Sequence, residues 1–398
     1  ADGDAGSGSG HGRAPATRGN RTYFHSVAWR RRLWSKNVWQ YRMTSATPAP
    51  ESSPSSPARR RLSWRRKLLF AMVPVTLMAI GGEWFARSFR HGKGYAPMGS
   101  NSYRDHRIDL VRRAFPNVHD PLLGYRPKPG YSASDNVWHT EVTIAANGLR
   151  SNGGGAPAVG QGRVLAVGDS FTFGDQVSDA DTWPAQLEQL LQRPVLNGGV
   201  FGYSFAQTVL RAEQLLDVHE VDTVVCSLIP DDIKRCELSR RYTPMPWFAI
   251  VDDQLQLRGV PVPDTEKDNE LDNQSFRRVL GYSALLDMIF WNTCPSWWVG
   301  QEREVREHLP GSGIDICKLL LERLQQKCAA QNVRLVLLLQ GRSPEHLTGA
   351  PIRATELLAH GEQLGVTTLD LATKFRDMAE RDASLEKKFF RGHMTREG

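Results

Sequence analysis

The sequence predicts a three-layer α/β domain on a parallel sheet of about five strands, set behind a polar tail and one membrane segment. Three observations predict it. Short apolar runs alternate with amphipathic helical stretches over residues 161–398. Residues 1–64 are rich in Gly, Ser, Pro, Ala and Arg, with no sustained apolar period. Between the two lies an uncharged run, Leu68 to Gly82.

The formal charge of +7 over 398 residues sits in the tail, because residues 1–67 hold 14 Lys and Arg against 3 Asp and Glu. The remainder is mildly acidic, which offers no basic groove for nucleic acid. Five cysteines lack CxxC spacing, and their odd count excludes full pairing within the chain. Small buried hydrophobes are their expected role, with room for one oxidised pair outside the cytoplasm. No metal ligand set or cofactor motif is expected.

The tail is expected to be disordered over 1–64. A more ordinary start, Met-Thr-Ser-Ala-Thr-Pro, begins at Met43, so residues 1–42 are expected to fall outside the native product. The apolar run LLFAMVPVTLMAIGG is short for a span, and Trp84, Phe85 and Ala86 lengthen it if Glu83 sits at the interface. The membrane segment is placed within 65–90, its apolar part at 68–86. A cleaved signal peptide competes, yet Glu83, Trp84 and Phe85 stand where a small-x-small site would follow. A buried helix is the third reading. Six Lys and Arg lie from Arg59 to Lys67, against Arg87, Arg90 and Lys93 afterwards. That bias predicts a cytoplasmic tail and an outer, periplasmic or extracellular, main domain.

Residues 98–160 form a Pro- and Gly-punctuated prelude, with an edge strand at Thr140–Ile144, a turn at Asn147-Gly148 and a glycine-rich linker from Asn152. Strands are predicted at Arg163–Gly168, Val195–Asn197, Thr223–Ile229, Arg334–Leu339 and Val366–Leu371. Helices are predicted at Thr182–Arg193, Phe205–Leu216, around Ile316 to Leu324, and at Ile352–Leu364. An insertion over 237–311 carries a hairpin turning at Asp252-Asp253 and an apolar helix at Ser283–Trp291. It reads either as a subdomain covering the sheet edge or as a lid.

Chemistry gathers where strands end. The first is followed by Gly168-Asp169-Ser170-Phe171-Thr172-Phe173-Gly174, the second ends in Asn197-Gly198-Gly199-Val200-Phe201-Gly202, the third in Ile229-Pro230-Asp231-Asp232, and Gly392-His393 stands near residue 398. A serine after a buried parallel strand lies at the edge of the sheet where ligands bind. This is not the Gly-x-Ser-x-Gly elbow, since Thr172 replaces the second glycine. A dinucleotide fingerprint is absent from the first strand.

These four segments, in this order, resemble the blocks of the SGNH/GDSL hydrolases, and GDSFTFGDQVSDADTWPAQLE is similar to membrane-tethered bacterial members. The resemblance covers about residues 120–398. It implies a three-layer, flavodoxin-like SGNH hydrolase fold, with Ser170 as nucleophile and His393 as general base. It also implies an oxyanion hole from the Ser170 and Gly202 N–H groups and position 231, with Asp169 supporting the serine loop. Relatives usually add a closing helix after the histidine motif, so a chain stopping at Gly398 is expected to be a truncated product.

Two positions depart from the family pattern. Asp231 stands where an asparagine normally donates to the oxyanion, and Arg391 and Phe390 stand where an aspartate normally orients the histidine. Glu386, Asp382 or a backbone carbonyl is expected in that second role, unless the Ser–His pair works alone. The resemblance implies a serine esterase or deacylase acting on an acylated small molecule, glycan or lipid ester. An O-acyltransferase on polysaccharide and a weakened, non-catalytic binding module are the alternatives.

Overall fold

The computed structural model describes residues 63–91, 103–104, 116–134, 138–154, 162–241, 243–264, 275–299, 304–341 and 351–398. The tail with Met43 and most of the glycine-rich linker lie outside the described residues.

Helix α1, Trp64–His91, contains the whole uncharged run, with Pro74 inside it. Leu68, Phe70, Leu77, Met78 and Phe85 are exposed along it, and among the described residues this helix is long and apolar enough to cross a membrane.

Five parallel strands form the centre: β1 (Val164–Val167), β2 (Val195–Asn197), β3 (Thr223–Leu228), β4 (Arg334–Leu339) and β5 (Thr367–Asp370). Their order across the sheet is 2-1-3-4-5, the flavodoxin-like arrangement. Both faces are covered, so alternate residues of one strand enter different cores. Leu165 and Val167 of β1 join a core with Val209 of α4 (Phe205–Leu216), Leu320 of α9 (Gly313–Ala330) and Leu357 of α10 (Pro351–Gln363). Val164 and Ala166 face the other way, toward Trp183 and Leu187 of α3 (Trp183–Leu191) and Leu371 of α11 (Leu371–Arg381).

Local chemistry sets the ends of these elements. Ser204 and Gln207 form a reciprocal capping box that starts α4. The hairpin Trp247–Val251 with Gln254–Arg258 turns through Asp252 and Asp253, both at positive φ, as a tight two-residue turn requires. Within the insertion, three further helices, α6 (Ser275–Leu280), α7 (Ala284–Thr293) and α8 (Pro295–Val299), precede a strand, Glu304–Arg306, that pairs with Leu238–Arg241. Buried Cys236 and Cys317 are both free thiols, the Cys317 sulfur donating to that of Cys236 at 3.6 Å.

The prelude supplies a partial further edge. Arg150 bridges antiparallel to Asn197, its N–H donating to the Asn197 carbonyl at 3.0 Å. That contact seats the Arg150 side chain beneath the loop that follows β1.

Leu337 is fully buried in the larger core. We expect Leu337→Ala to cost about 2–5 kcal/mol, because the cavity it leaves cannot fully collapse. Chemical denaturation followed by tryptophan fluorescence measures it, and a loss below about 1 kcal/mol would show that the site relaxes.

Candidate active site

The sheet order reverses between β1 and β3, and Ser170 lies just past the carboxyl end of β1 at that switch point. One helical turn, α2 (Ser170–Phe173), follows at once. Asp169 caps it by accepting the Phe171 N–H at 3.0 Å, and Gly174 closes it at φ 77°, where a side chain would be strained. The Gly198-Gly199 loop approaches so closely that a Cβ on Gly199 would lie 2.4 Å from the Phe173 nitrogen.

The fold brings Ser170 and His393 together across the sequence, with Ser170 Oγ and His393 Nε2 at 2.9 Å. His393 stands on a small hairpin in which Phe390–Arg391 pairs with His393–Met394 around Gly392, which is at positive φ. Phe375 of α11 holds the hairpin by packing edge-on against Phe389 and Phe390. The imidazole lies against the Phe171 ring, centroids 5.1 Å apart.

The position that orients the imidazole differs from expectation. His393 Nδ1 faces Gln176 Nε2 at 3.2 Å, so an amide takes the place expected of Glu386 or Asp382. Asp382 is engaged elsewhere, accepting from the Ser384 N–H and hydroxyl beside α12 (Ser384–Phe389), and Glu386 lies in the first turn of that helix. The amide orientation decides the tautomer. With Oε1 turned to Nδ1, glutamine accepts the Nδ1 proton and leaves Nε2 free to take one from Ser170.

Asp175 also faces this centre. Its Oδ2 lies 3.7 Å from His393 Nε2, the residue is 2% exposed, and neither carboxyl oxygen has a hydrogen-bond partner among the described residues. Burial, with the charge of Asp169 adding to it, pushes its pKa up to about 8 against the pull of Arg150. Sequence reasoning missed Asp175 and Gln176. The available signal was their place directly after Gly174, on the loop that leaves the serine turn.

That loop is clamped by Arg150. Its buried guanidinium donates to the carbonyls of Phe173, Gly174, Val177 (2.7 Å) and Glu141 (3.2 Å), and to Asp179 Oδ1 at 3.0 Å. The five donors of one planar group thus fix the backbone on both sides of Asp175 and Gln176.

Asp169 lies with the serine loop. Its Oδ2 lies 3.3 Å from the Ser170 hydroxyl and 3.5 Å from Arg235 Nη1. Arg235 also donates to Asp232 and to the Tyr203 carbonyl. The N–H groups of Ser170 and Gly202 are not used by any other group among the described residues, and Gly202 is at φ 72°. Asp231, in the first turn of α5 (Pro230–Arg235), is different: its carboxylate accepts from Lys234 at 3.3 Å and is half exposed. Burial works upward on its pKa, but Arg235 and Lys234 outweigh it and hold it below the ordinary carboxylate range. An ionised group has no proton to offer an oxyanion, so Asp231 cannot serve there as a donor.

A cavity of about 340 Å³ opens on Ser170 and His393, with Gln176, Trp183 and the Asp181–Arg396 ion pair in its wall. Among the described residues no group of three or more His, Cys, Asp or Glu is placed to hold a metal ion.

No protein-family model and no curated relative matches the chain. Solved structures similar to it include a protein described as lipolytic and of the G-D-S-L family from Desulfitobacterium hafniense, 16% identical, covering 60% of this chain and 93% of that one, with a TM-score of 0.35. Another is AlinE4, an SGNH-hydrolase family esterase, 13% identical over 60% of this chain and 88% of that one, TM-score 0.33. A third is a catalytic mutant of Axe2, an acetylxylan esterase from Geobacillus stearothermophilus, 12% identical over 56% and 82%, TM-score 0.31.

The raised Asp175 pKa predicts a pH-dependent stability. A carboxyl titrating near 8 when folded and near 3.9 when unfolded favours the folded state fully below pH 4, and that contribution is lost as pH rises toward 8. Asp175→Asn removes the titration, so its Tm relative to wild type is expected to climb between pH 4 and pH 8 and then level. Parallel melting curves across that range would refute the raised pKa of this buried carboxyl.

Proposed function

We propose that the chain is a serine ester hydrolase working through an acyl-serine on Ser170. The observation that carries this is the 2.9 Å contact between Ser170 Oγ and His393 Nε2 at the carboxyl edge of the sheet, open to a cavity. An alcohol attacks an ester at neutral pH only when a base removes its proton as the bond forms. His393 takes that proton on Nε2, and the carbonyl carbon becomes tetrahedral. The N–H groups of Ser170 and Gly202 receive the negative oxygen. Collapse expels the alcohol, which receives the proton back from Nε2. A water then repeats the sequence, releasing the carboxylic acid and restoring Ser170.

Two neighbours adjust the base. Gln176 holds Nδ1, fixing the ring and its tautomer. Asp175, close to Nε2, stabilises the imidazolium formed at each step once it is ionised, and the imidazolium in turn draws Asp175 toward ionisation. With Asp231 ionised, the hole has two donors rather than three. A missing donor costs about 10²–10³ in rate, so turnover is expected to be slow.

The cavity wall mixes polar groups, among them Asp181, Gln186 and Arg396, with the Trp183 ring, a combination we read as suited to a carbohydrate O-acyl ester rather than a long lipid chain. We read α1 as an uncleaved membrane span, with the basic residues Arg59 to Lys67 on the cytoplasmic side and the sheet domain outside.

A fluorophosphonate probe is expected to label Ser170, with the adduct found on that residue by mass spectrometry. Ser170→Ala should lose labelling and at least about 10³-fold in p-nitrophenyl acetate hydrolysis. Equal inactivity of wild type and variant across a broad ester panel would overturn the reading. Gln176→Ala is expected to lower kcat about tenfold with KM unchanged, since the amide orients the base without meeting the substrate. A fall in labelling with no change in kcat would place Gln176 outside that role.

A further inference from the structure

The outer end of α1 is bound to the insertion by a carboxylate used as a cap. Glu83 accepts from the Ser283 hydroxyl at 2.6 Å and from the N–H groups of Ala284 and Leu285 at 3.0 Å each, the first turn of α7. A helix N-terminus with its free N–H groups and partial positive charge favours a carboxylate there. Arg87, one turn on, donates to Glu83 at 2.6 Å and to the Tyr282 carbonyl at 3.2 Å. Gly82 lets the helices meet, because a Cβ there would lie 3.0 Å from Leu285 Cδ2. Ala86 is fully buried, whereas the preceding turns of α1 are exposed.

Behind this joint the insertion neutralises its own polar groups. Asp287, the one charged residue of α7, is buried and accepts from Trp298 Nε1 at 2.7 Å. Arg104 is buried too, donating to the Trp298 carbonyl at 2.6 Å. The large side chains that α6 to α8 and their joints leave exposed are apolar or aromatic, Phe276, Val279, Tyr282, Ile289 and Trp297, with the Arg277 guanidinium 5.1 Å over the Trp297 ring, and the exposed polar Asn292 and Thr293 stand at the far end of α7.

We propose that α6 to α8 form a membrane-surface element, lying in the outer headgroup layer of the bilayer that α1 spans and clamped to the span by Glu83. The inference rests on reading α1 as that span. From Leu68 to Arg87 the helix rises roughly 28 Å, close to the hydrocarbon thickness, which puts Glu83 and Arg87 at its outer boundary. The exposed apolar face of the insertion therefore continues the lipid-facing surface of α1. Its Tyr, Trp and Arg are the residue types that favour the boundary between acyl chains and headgroups. A solvated lid would leave this face against water.

The full chain, reconstituted in phosphatidylethanolamine–phosphatidylglycerol vesicles, tests this with a bimane on one introduced cysteine in a Cys294→Ser background. Ile289→Cys and Phe276→Cys, both at exposed positions, report on the insertion, and Leu77→Cys reports on the span. Lipids carrying a nitroxide near the headgroup are expected to quench the Ile289 and Phe276 labels about two- to threefold while aqueous iodide barely does, as for interfacial helices. Iodide quenching of both labels, with Leu77 still quenched by a nitroxide deep in the acyl chain, would overturn the proposal and leave the span intact. A Leu77 label that escapes the deep nitroxide would remove the span and the proposal with it. Glu83→Lys is expected to shift the Ile289 label from lipid to iodide quenching with Leu77 unchanged. No shift would show that Glu83 is not the clamp.

Discussion

One buried guanidinium organises the candidate site. Arg150 carries no chemistry toward a substrate, yet its donors tie down the carbonyls on either side of Asp175 and Gln176. Those two side chains reach His393 only because the loop is fixed there. The arginine is fixed in turn by the bridge of its own backbone to Asn197 at the end of β2. The sheet edge, the serine turn and the histidine are therefore coupled through a residue of the prelude, a segment outside the sheet.

The joint of α1 to the insertion follows similar logic on a smaller scale. In both places a charged side chain satisfies backbone groups that secondary structure leaves open, carbonyls around Arg150 and helix-end N–H groups around Glu83. Burying a charge is costly unless it is fully paired, and each of these has several partners.

Periodicity made the frame legible. Runs such as RLVLLL become strands buried on both faces, and predicted limits at Val195–Asn197, Phe205–Leu216 and Arg334–Leu339 coincide with the observed ones. Ser170, Gly202 and His393 were legible because each follows a strand end or closes the chain in a recognisable order. The partner of Nδ1 was not. A glutamine 217 positions from its histidine leaves no spacing signal, whereas Asp382 and Glu386 are near in sequence, yet Asp382 is bound to Ser384 and Glu386 lies in the first turn of α12. The exposure of Asp231 likewise depends on where the helix after β3 points its first turn, which no local pattern encodes.

The wall of the cavity has one unusual component. Residues Met394 to Gly398 line it, so the strand that carries His393 runs straight on into the rim of the mouth. A change of side-chain bulk at Met394 or Arg396 would therefore reshape the entrance without touching the serine turn.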